Sequence, residues 1–214
     1  MMATLRPCWF AALFVFAACG SVEVPRERFY RLEVPAAATP DPSRGGVLRV
    51  QDLQLATSLD SDCLMRVDGM QLSARPLARW IAPLDRLVTD ALVLGLSRAR
   101  VCELVKGGGD PGDEHWTLRG RIVDFVEADG GSGPEARVAI ELWLEADGRV
   151  LLHDEFAAQT PMADASAEAA VRALSEGLRS VVTDVVARMQ RQDLFAKARA
   201  AATDGADAAA VPGR

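Results

Sequence analysis

Three alternating segments in the second half of the chain constrain the fold more than any other feature of the sequence. Trp116, Leu118 and Ile122 alternate with polar residues, and similar alternation recurs over residues 138–144 and, less cleanly, 150–156. Successive side chains of a strand point to opposite faces of a sheet, so each segment predicts a strand with one apolar face. Glycine-containing turns separate the segments, which predicts three sequential antiparallel strands. After Ile122 the apolar positions change face, which predicts a bulge or the end of pairing.

Other segments of the first half also predict regular structure. They are a strand at 47–55, a hairpin of 64–67 and 70–74, a helix from Pro83 to about Ala99, and a short strand at 101–105. The hairpin is predicted because Asp68-Gly69 tolerates positive φ. The helix is predicted because its apolar residues recur at spacings of three and four, which places them on one face.

A second, longer helix is predicted from about Asp164 to Gln192, with Asp164 or Ser166 as its N-cap. The resulting order is strands, helix, strands, helix. This order predicts an α+β fold, a two-layer sandwich in which both helices pack on one face of a mostly antiparallel sheet.

The N-terminus has the three-part layout of an export signal. A lone early cation, Arg6, precedes an apolar run over residues 8–18, which is shorter than the about 20 residues that span a bilayer. The sequence Phe-Ala-Ala-Cys at 16–19 resembles the lipobox of bacterial lipoproteins, although Phe16 replaces the usual Leu. We therefore predict cleavage before Cys19 and acyl chains on that cysteine; an ordinary signal peptide is the alternative. Gly20 replaces the Asp that commonly retains such proteins in the inner membrane, which favours the outer membrane.

The chain is thus predicted to have four parts. They are a signal peptide at 1–18, a lipidated tether at 19–46, one folded domain at 47–192 and a disordered tail at 193–214. Within the proline-rich tether, an apolar island at 29–32 predicts a short strand that ties the tether to the domain.

Two of the four cysteines, Cys63 and Cys102, remain after cleavage and acylation. The periplasm is oxidising, so we predict a disulfide between them. It would close a loop of about 40 residues and stabilise the fold by roughly 3 to 4 kcal/mol. Two buried thiols are the alternative.

The sequence contains no recognisable catalytic or metal-binding pattern. Its two histidines, His115 and His153, are not placed as a pair, and zinc-type spacing is absent. The segment His153-Asp154-Glu155 is typical of a solvated strand end. We predict that the protein is not an enzyme and needs no cofactor or metal. The net charge is −6 and the sequence has no Lys/Arg cluster, which argues against nucleic acid and direct adhesion to anionic lipid.

Trp143 falls on the opposite face of its predicted strand from Ile140 and Leu142. An exposed tryptophan of this kind is a candidate partner-docking residue. The alternative is that the tether or an edge loop covers it.

Several motifs occur in an order that resembles one family. Behind the lipobox comes Tyr-x-Leu-x-x-Pro at 30–35, then Ala-Arg-Trp at 78–80, a Pro-Leu helix start at 83–84, three strands and a long Ala-rich helix. This order resembles the ABC-type transport auxiliary lipoproteins, the family that includes PqiC. The Cys63/Cys102 pair and the tail after Asp193 depart from the pattern.

The resemblance implies a non-enzymatic role in moving phospholipid between membranes. The expected partners are a periplasmic MCE protein and an inner-membrane ABC transporter complex, with this protein as the docking partner lipid-anchored on the periplasmic side of the outer membrane. Membrane contact would be through the lipid on Cys19, no nucleic acid is expected, and a homo-oligomer is left open. The alternative is an assembly or structural lipoprotein that supports an outer-membrane barrel or secretion complex.

Overall fold

The computed structural model describes residues 26–33, 45–131 and 133–191. The strands are β1 Arg28–Tyr30, β2 Val47–Val50, β3 Gln54–Leu55, β4 Cys63–Asp68, β5 Gln71–Trp80, β6 Leu104–Gly107, β7 Trp116–Gly130, β8 Gly133–Ala146 and β9 Arg149–Pro161. The helices are α1 Leu84–Arg98, between β5 and β6, and α2 Ala167–Arg191, after β9.

All of these strands form one mixed sheet built around β7. The hairpin partner β8 pairs with β7 over the whole length of that strand, and β9 pairs with β8; both pairings are antiparallel. The other side of β7 is shared by three short strands, β2, β3 and β4, and each of them runs parallel to β7. The sheet then continues from β4 to β5 and β1, and from β2 to β6.

The α+β class is confirmed, but the expectation of a mostly antiparallel two-layer sandwich is wrong. The pairings β1–β5, β2–β6, β2–β7, β3–β7 and β4–β7 are parallel. Alternation reports which face a side chain occupies and says nothing about the direction of the neighbouring strand. Parallel neighbours need long crossover connections, and the chain supplies one of them through α1, which lies between β2 and its partner β6.

The predicted turns and the predicted bulge are confirmed. Gly69 has φ of +58° in the turn between β4 and β5, and Asp147 and Gly148 have φ of +49° and +72° between β8 and β9. The register of β7 against β8 shifts between Ile122 and Asp124, where the sequence changes face. This bulge lets Phe125 return to the buried side of the sheet.

Both helices begin close to the predicted positions. Pro83 precedes α1 without a side-chain cap, and the backbone N–H of Leu84 donates to the carbonyl of Ser61 at 2.8 Å. Ser166 caps α2, since its Oγ accepts from the backbone N–H of Ala169 at 3.1 Å, while Asp164 accepts from the N–H of Ser166. The two helices contact each other, and their apolar residues join those of the sheet in one core.

The predicted disulfide is not present, because Cys63 and Cys102 are free thiols. Cys63 opens β4, which pairs with β7 near Val126, whereas Cys102 precedes β6, which reaches β7 through β2 near Trp116. A strand rises about 3.3 Å per residue, so the ten-residue offset between Trp116 and Val126 along β7 spans about 33 Å. A disulfide can bridge only roughly 7 Å between Cα atoms. Cys102 is buried and donates to the carbonyl of Leu104, and burial raises the pKa of its thiol to about 11.

Two cations hold the glycine-rich loop that follows β6. Lys106 is only 4% exposed, and its ammonium donates to several loop carbonyls, those of Pro111, Gly112 and Asp113. The guanidinium of Arg49 donates to further carbonyls of the same loop, those of Gly108, Asp110 and Gly112. Glu114 forms ion pairs with both cations. The loop is therefore fastened to β2 and β6 without a core of its own.

Candidate functional site

The predicted lipidation site, Cys19, lies outside the described residues, as do the signal peptide at 1–18 and the tail at 193–214. The first described residue is Arg26, seven residues after Cys19. Of the predicted tether at 19–46, the described parts are 26–33 and 45–46. The apolar island of the tether forms β1, as the sequence predicts, although β1 begins and ends slightly earlier than the island.

A hydrogen-bonded junction fixes β1 to both the sheet and α2. On the sheet side, β1 pairs in parallel with the end of β5, and the N–H of Ile81 donates to the carbonyl of Tyr30 at 2.8 Å. On the helix side, Glu168 accepts from the hydroxyl of Tyr30 at 3.1 Å and from Arg28 at 2.9 Å. The strand β1, which lies in the predicted tether, is thus part of the folded body.

Electrostatics support this tether junction. A hydrogen bond from its own backbone N–H, followed by the one from Tyr30, lowers the pKa of the Glu168 carboxyl. Burial raises the pKa of the Tyr30 hydroxyl, so Tyr30 remains a proton donor. Glu33 adds a further contact, since its N–H donates to Ser175 Oγ of α2 at 3.2 Å. Together these contacts keep β1 in place from both ends.

A groove with basic walls opens beside the tether junction, between β5 and the start of α2. Its volume is about 770 Å³. Arg26, Arg28 and Arg75 line it together with the apolar segment 76–78, and Glu168 is the one carboxylate among its lining residues. We refer to this feature as the basic groove.

The guanidinium of Arg75 is held rigidly at the wall of the basic groove. One of its nitrogens donates to both carboxylate oxygens of Glu127, and the other donates to the carbonyl of Ala165 at 2.7 Å. Glu127 is itself buried, and desolvation raises the pKa of its carboxyl, against the opposing effect of Arg75. The pair is therefore a fixed element of the fold that presents a cation to the groove.

Trp143 lies on the outward face of β8, opposite Leu142, as the sequence predicts. The indole is half-buried because it stacks on the ring of His153 from β9, with 4.9 Å between centroids and 16° between planes. The covering group is therefore a neighbouring strand residue, and neither the tether nor an edge loop provides that stack. We call this side of β7, β8 and β9 the outer sheet face.

Ion pairs surround Trp143 on the outer sheet face. Glu141 accepts from His153 Nε2 and from Arg121, each at 2.8 Å, and Arg119 lies 3.5 Å from Glu145. The hydrogen bond from His153, and after it the one from Arg121, lowers the pKa of the Glu141 carboxyl. The face thus carries ion pairs on either side of one stacked aromatic pair.

The two histidines remain apart in the structure. His153 belongs to the outer sheet face, while His115 Nδ1 accepts from the backbone N–H of Val47 at 3.1 Å. Across residues 26–33, 45–131 and 133–191, no cluster of three or more His, Cys, Asp or Glu could hold a metal ion. Neither described helix is long and apolar enough to cross a membrane.

Sequence reasoning identified Trp143 but missed the basic groove. The three arginines of the groove come from two segments far apart in the chain, so no basic cluster is visible in the sequence. Arg26 and Arg28, on either side of Glu27 and just before the Tyr-x-Leu motif, were the only local signal. Their partner Arg75 is brought beside them because β1 pairs with β5.

Comparison with known proteins gives a family match and a shared fold. The model of a family described as "ABC-type transport auxiliary lipoprotein component" matches residues 30–186. No curated protein matches the sequence significantly.

Among solved structures, protein XCC0632 from Xanthomonas campestris, of the family DUF330, is similar with a TM-score of 0.67 and 20% identity, covering 78% of this chain and 98% of that one. A second structure, described as that of an uncharacterized protein, has a TM-score of 0.64 and 17% identity, covering 77% and 99% of the two chains. At these identities the likeness establishes the fold.

Proposed function

This chain belongs to the family of ABC-type transport auxiliary lipoprotein components, and from that premise we propose that it serves an ABC/MCE-type system that moves phospholipid between membranes. In this proposal acyl chains on Cys19 hold the protein on the periplasmic side of the outer membrane. The folded body is the docking partner of a periplasmic MCE protein, which in turn connects to an inner-membrane ABC transporter complex. The family is one of transport components rather than enzymes, and the proposed role requires no catalysis.

The observation that carries this proposal is the tether junction. A lipid anchor positions a domain only if the chain leaving the membrane is fastened to that domain. Here β1 begins at Arg28, nine residues after Cys19 in the sequence, and it is bonded to β5 and to Glu168 of α2. An acylated Cys19 would therefore limit the distance of the body from the bilayer. Three acyl chains would make such attachment effectively permanent, because each buried methylene adds about 0.8 kcal/mol.

The docking surface in this proposal is the outer sheet face. Tryptophan and arginine are enriched among the residues that dominate binding energy at protein interfaces. Trp143 is flanked by Arg119 of β7 and stacked on His153 of β9, on a face that the helices leave uncovered. Paired charges around an aromatic centre fix the register and orientation of a bound partner. They suit a partner that binds without a large apolar contact area.

Two measurements test the proposal separately. The anchor is tested by mass spectrometry of the N-terminal peptide purified from membranes. We expect a triacylated peptide that begins at Cys19, and an unmodified thiol at that position or an uncleaved leader would refute the anchoring role. A Cys19→Ala variant, which keeps the leader but removes the acceptor thiol, should fail to restore resistance to detergent in a deletion strain.

Docking is tested by co-purification of the full-length protein from membranes. An MCE protein should be recovered with the wild type and lost, by roughly tenfold or more, with Trp143→Ala, since truncating an interface hot spot costs at least about 2 kcal/mol. Leu94→Ala is the matched control, because Leu94 is an exposed apolar residue of α1 that is remote from the outer sheet face. Recovery of an outer-membrane barrel protein instead of an MCE protein would support the assembly role over the transport role.

A further inference from the structure

The short chain between Cys19 and β1 limits how far the basic groove can lie from the membrane. Arg26 is the seventh residue after Cys19, and an extended chain spans at most about 3.5 Å per residue step, or about 25 Å in total. Because β1 is fixed to β5 and α2, this limit applies to the whole end of the domain that contains β1. This limit on the distance from the membrane rests on the proposed anchor at Cys19.

Exposed apolar side chains cluster at the same end of the domain. Phe29 is 61% exposed, Ile81 is 64% exposed and Leu77 is 42% exposed. Phe29 and Ile81 lie close together in the sheet, because Phe29 pairs with Arg79 and the N–H of Ile81 donates to the carbonyl of Tyr30. Aromatic and aliphatic side chains next to arginines are typical of surfaces that rest in the interfacial region of a bilayer.

The charge of the basic groove is opposite to that of the chain as a whole. The chain has a net charge of −6, whereas the groove is lined by three arginines and one glutamate. Glu127 forms an ion pair with Arg75, and among the described residues that line the groove Glu168 is the one carboxylate that can balance Arg26 and Arg28. The groove is therefore locally cationic, and guanidinium groups match the geometry of a phosphate better than any other side chain.

Arg28 can serve a ligand without leaving Glu168 unsatisfied. Glu168 retains hydrogen bonds from the hydroxyl of Tyr30 and from its own backbone N–H. The Arg28 side chain is 70% exposed, so its guanidinium can turn into the groove at little cost. Next to it, the apolar segment 76–78 provides a wall against which the glycerol part of a lipid can pack.

We propose that the basic groove binds the phosphate of an anionic phospholipid in the leaflet that holds the anchor. The sequence argued against adhesion to anionic lipid because it shows no cationic cluster. The fold creates that cluster by pairing β1 with β5. Bound lipid would fix the tilt of the body on the membrane, so that the outer sheet face points to a partner in the periplasm.

The test uses the full, acylated protein reconstituted into phosphatidylcholine vesicles with and without phosphatidylglycerol. Hydrogen–deuterium exchange is followed at residues 26–30 and 75–80. Phosphatidylglycerol should slow exchange there about fivefold, since an arginine near an anionic lipid surface contributes a factor of roughly five. Equal protection on vesicles without phosphatidylglycerol would overturn the proposal. Protection by inorganic phosphate on those neutral vesicles, with no further gain from phosphatidylglycerol, would also overturn it, because free phosphate would then be the ligand.

Variants make the test specific to the groove. The double variant Arg26→Gln/Arg28→Gln should lose the effect of phosphatidylglycerol, whereas Arg119→Gln/Arg121→Gln, with the same charge loss on the outer sheet face, should keep it. Because Arg28 also holds β1, the variant Arg26→Lys/Arg28→Lys is included, and it should retain lipid-dependent protection. Loss in the lysine variant as well as the glutamine variant would point to a displaced β1 and refute the phosphate site.

The peptides analysed for hydrogen exchange also show whether Cys19 is acylated. They therefore distinguish failure of this proposal from failure of the proposed anchor. An acylated Cys19 peptide without lipid-dependent protection refutes the groove alone. An unmodified Cys19 refutes the anchor, and with it the argument that the groove lies near a membrane.

Discussion

The contact between α1 and α2 depends on the absence of one side chain, at Gly95. A Cβ at this position would lie 2.3 Å from Cγ1 of Val182, which is closer than real Cβ atoms approach a neighbour. Both positions are buried in the core. Valine in a helix has essentially one χ1 rotamer, so Val182 cannot turn away without strain. We therefore predict that Gly95→Ala is destabilising, although alanine is the better helix former.

The expected magnitude is the balance of two effects. Replacing glycine by alanine inside a helix favours the folded state by about 1 kcal/mol. Overpacking a well-packed core costs about 1 to 3 kcal/mol. The net loss for Gly95→Ala should thus be about 0 to 2 kcal/mol. Val182→Ala alone should cost about 1.6 kcal/mol for two buried methylene equivalents. In the double variant the clash disappears, so the two changes should couple favourably by about 1 to 3 kcal/mol.

Urea unfolding followed by tryptophan fluorescence measures all these values. Gly177→Ala on α2 is the matched comparison, because a Cβ there would be 3.1 Å from Cγ2 of Val138, a contact that a small shift relieves. It should be neutral or stabilising. The reasoning about α1 and α2 would be refuted if Gly95→Ala were as stable as Gly177→Ala and showed no coupling to Val182→Ala.

Three further outcomes follow from the structure. Lys106→Met should increase proteolysis of the loop at 107–114 and destabilise the protein, and Lys106→Arg should have smaller effects of both kinds. Limited proteolysis and urea unfolding measure them. Protein from the periplasm should alkylate at both Cys63 and Cys102 under denaturing, non-reducing conditions, and only at Cys63 when folded; a disulfide-linked peptide would contradict the structure. The lowered pKa of Glu168 means that its stabilising contribution is present above the ordinary glutamate pKa and lost as pH falls through the folded value. Hydrogen exchange of the β1 amides should therefore accelerate as pH falls through that value, and the acceleration should be smaller in Glu168→Gln.

Local features of the fold could be predicted from the sequence, and pairings between distant strands could not. The hairpins at Asp68-Gly69 and Asp147-Gly148, the bulge after Ile122 and the start of α2 at Ser166 each depend on neighbouring residues. Their turn chemistry and caps are encoded within a few positions. The parallel pairing of β2, β3 and β4 with β7 depends instead on how long connections return the chain, which the alternation pattern does not report.

The same limit explains the error about the disulfide. Composition and compartment favour pairing of Cys63 with Cys102, but neither gives information about the distance between the two residues in the fold. Their separation is set by where their strands meet β7, since β4 pairs with one end of β7 and β6 reaches the other end through β2. The order of elements predicted from the sequence could not give this separation, because it did not say which strands pair in parallel.

The candidate site also has a part that depends on local sequence and a part that depends on pairing between distant strands. Trp143 was found because its position depends only on which face of one strand it occupies, while its cover by His153 required knowing the register of β8 against β9. The basic groove is entirely non-local, since it exists only because β1 lies beside β5 and beneath Glu168. A chain that is acidic overall can therefore present a cationic surface at the end nearest its proposed anchor. The proposal that the tether and the groove act on the same bilayer is therefore tested by measuring the modification of Cys19 and the lipid dependence of exchange at β1 on one sample.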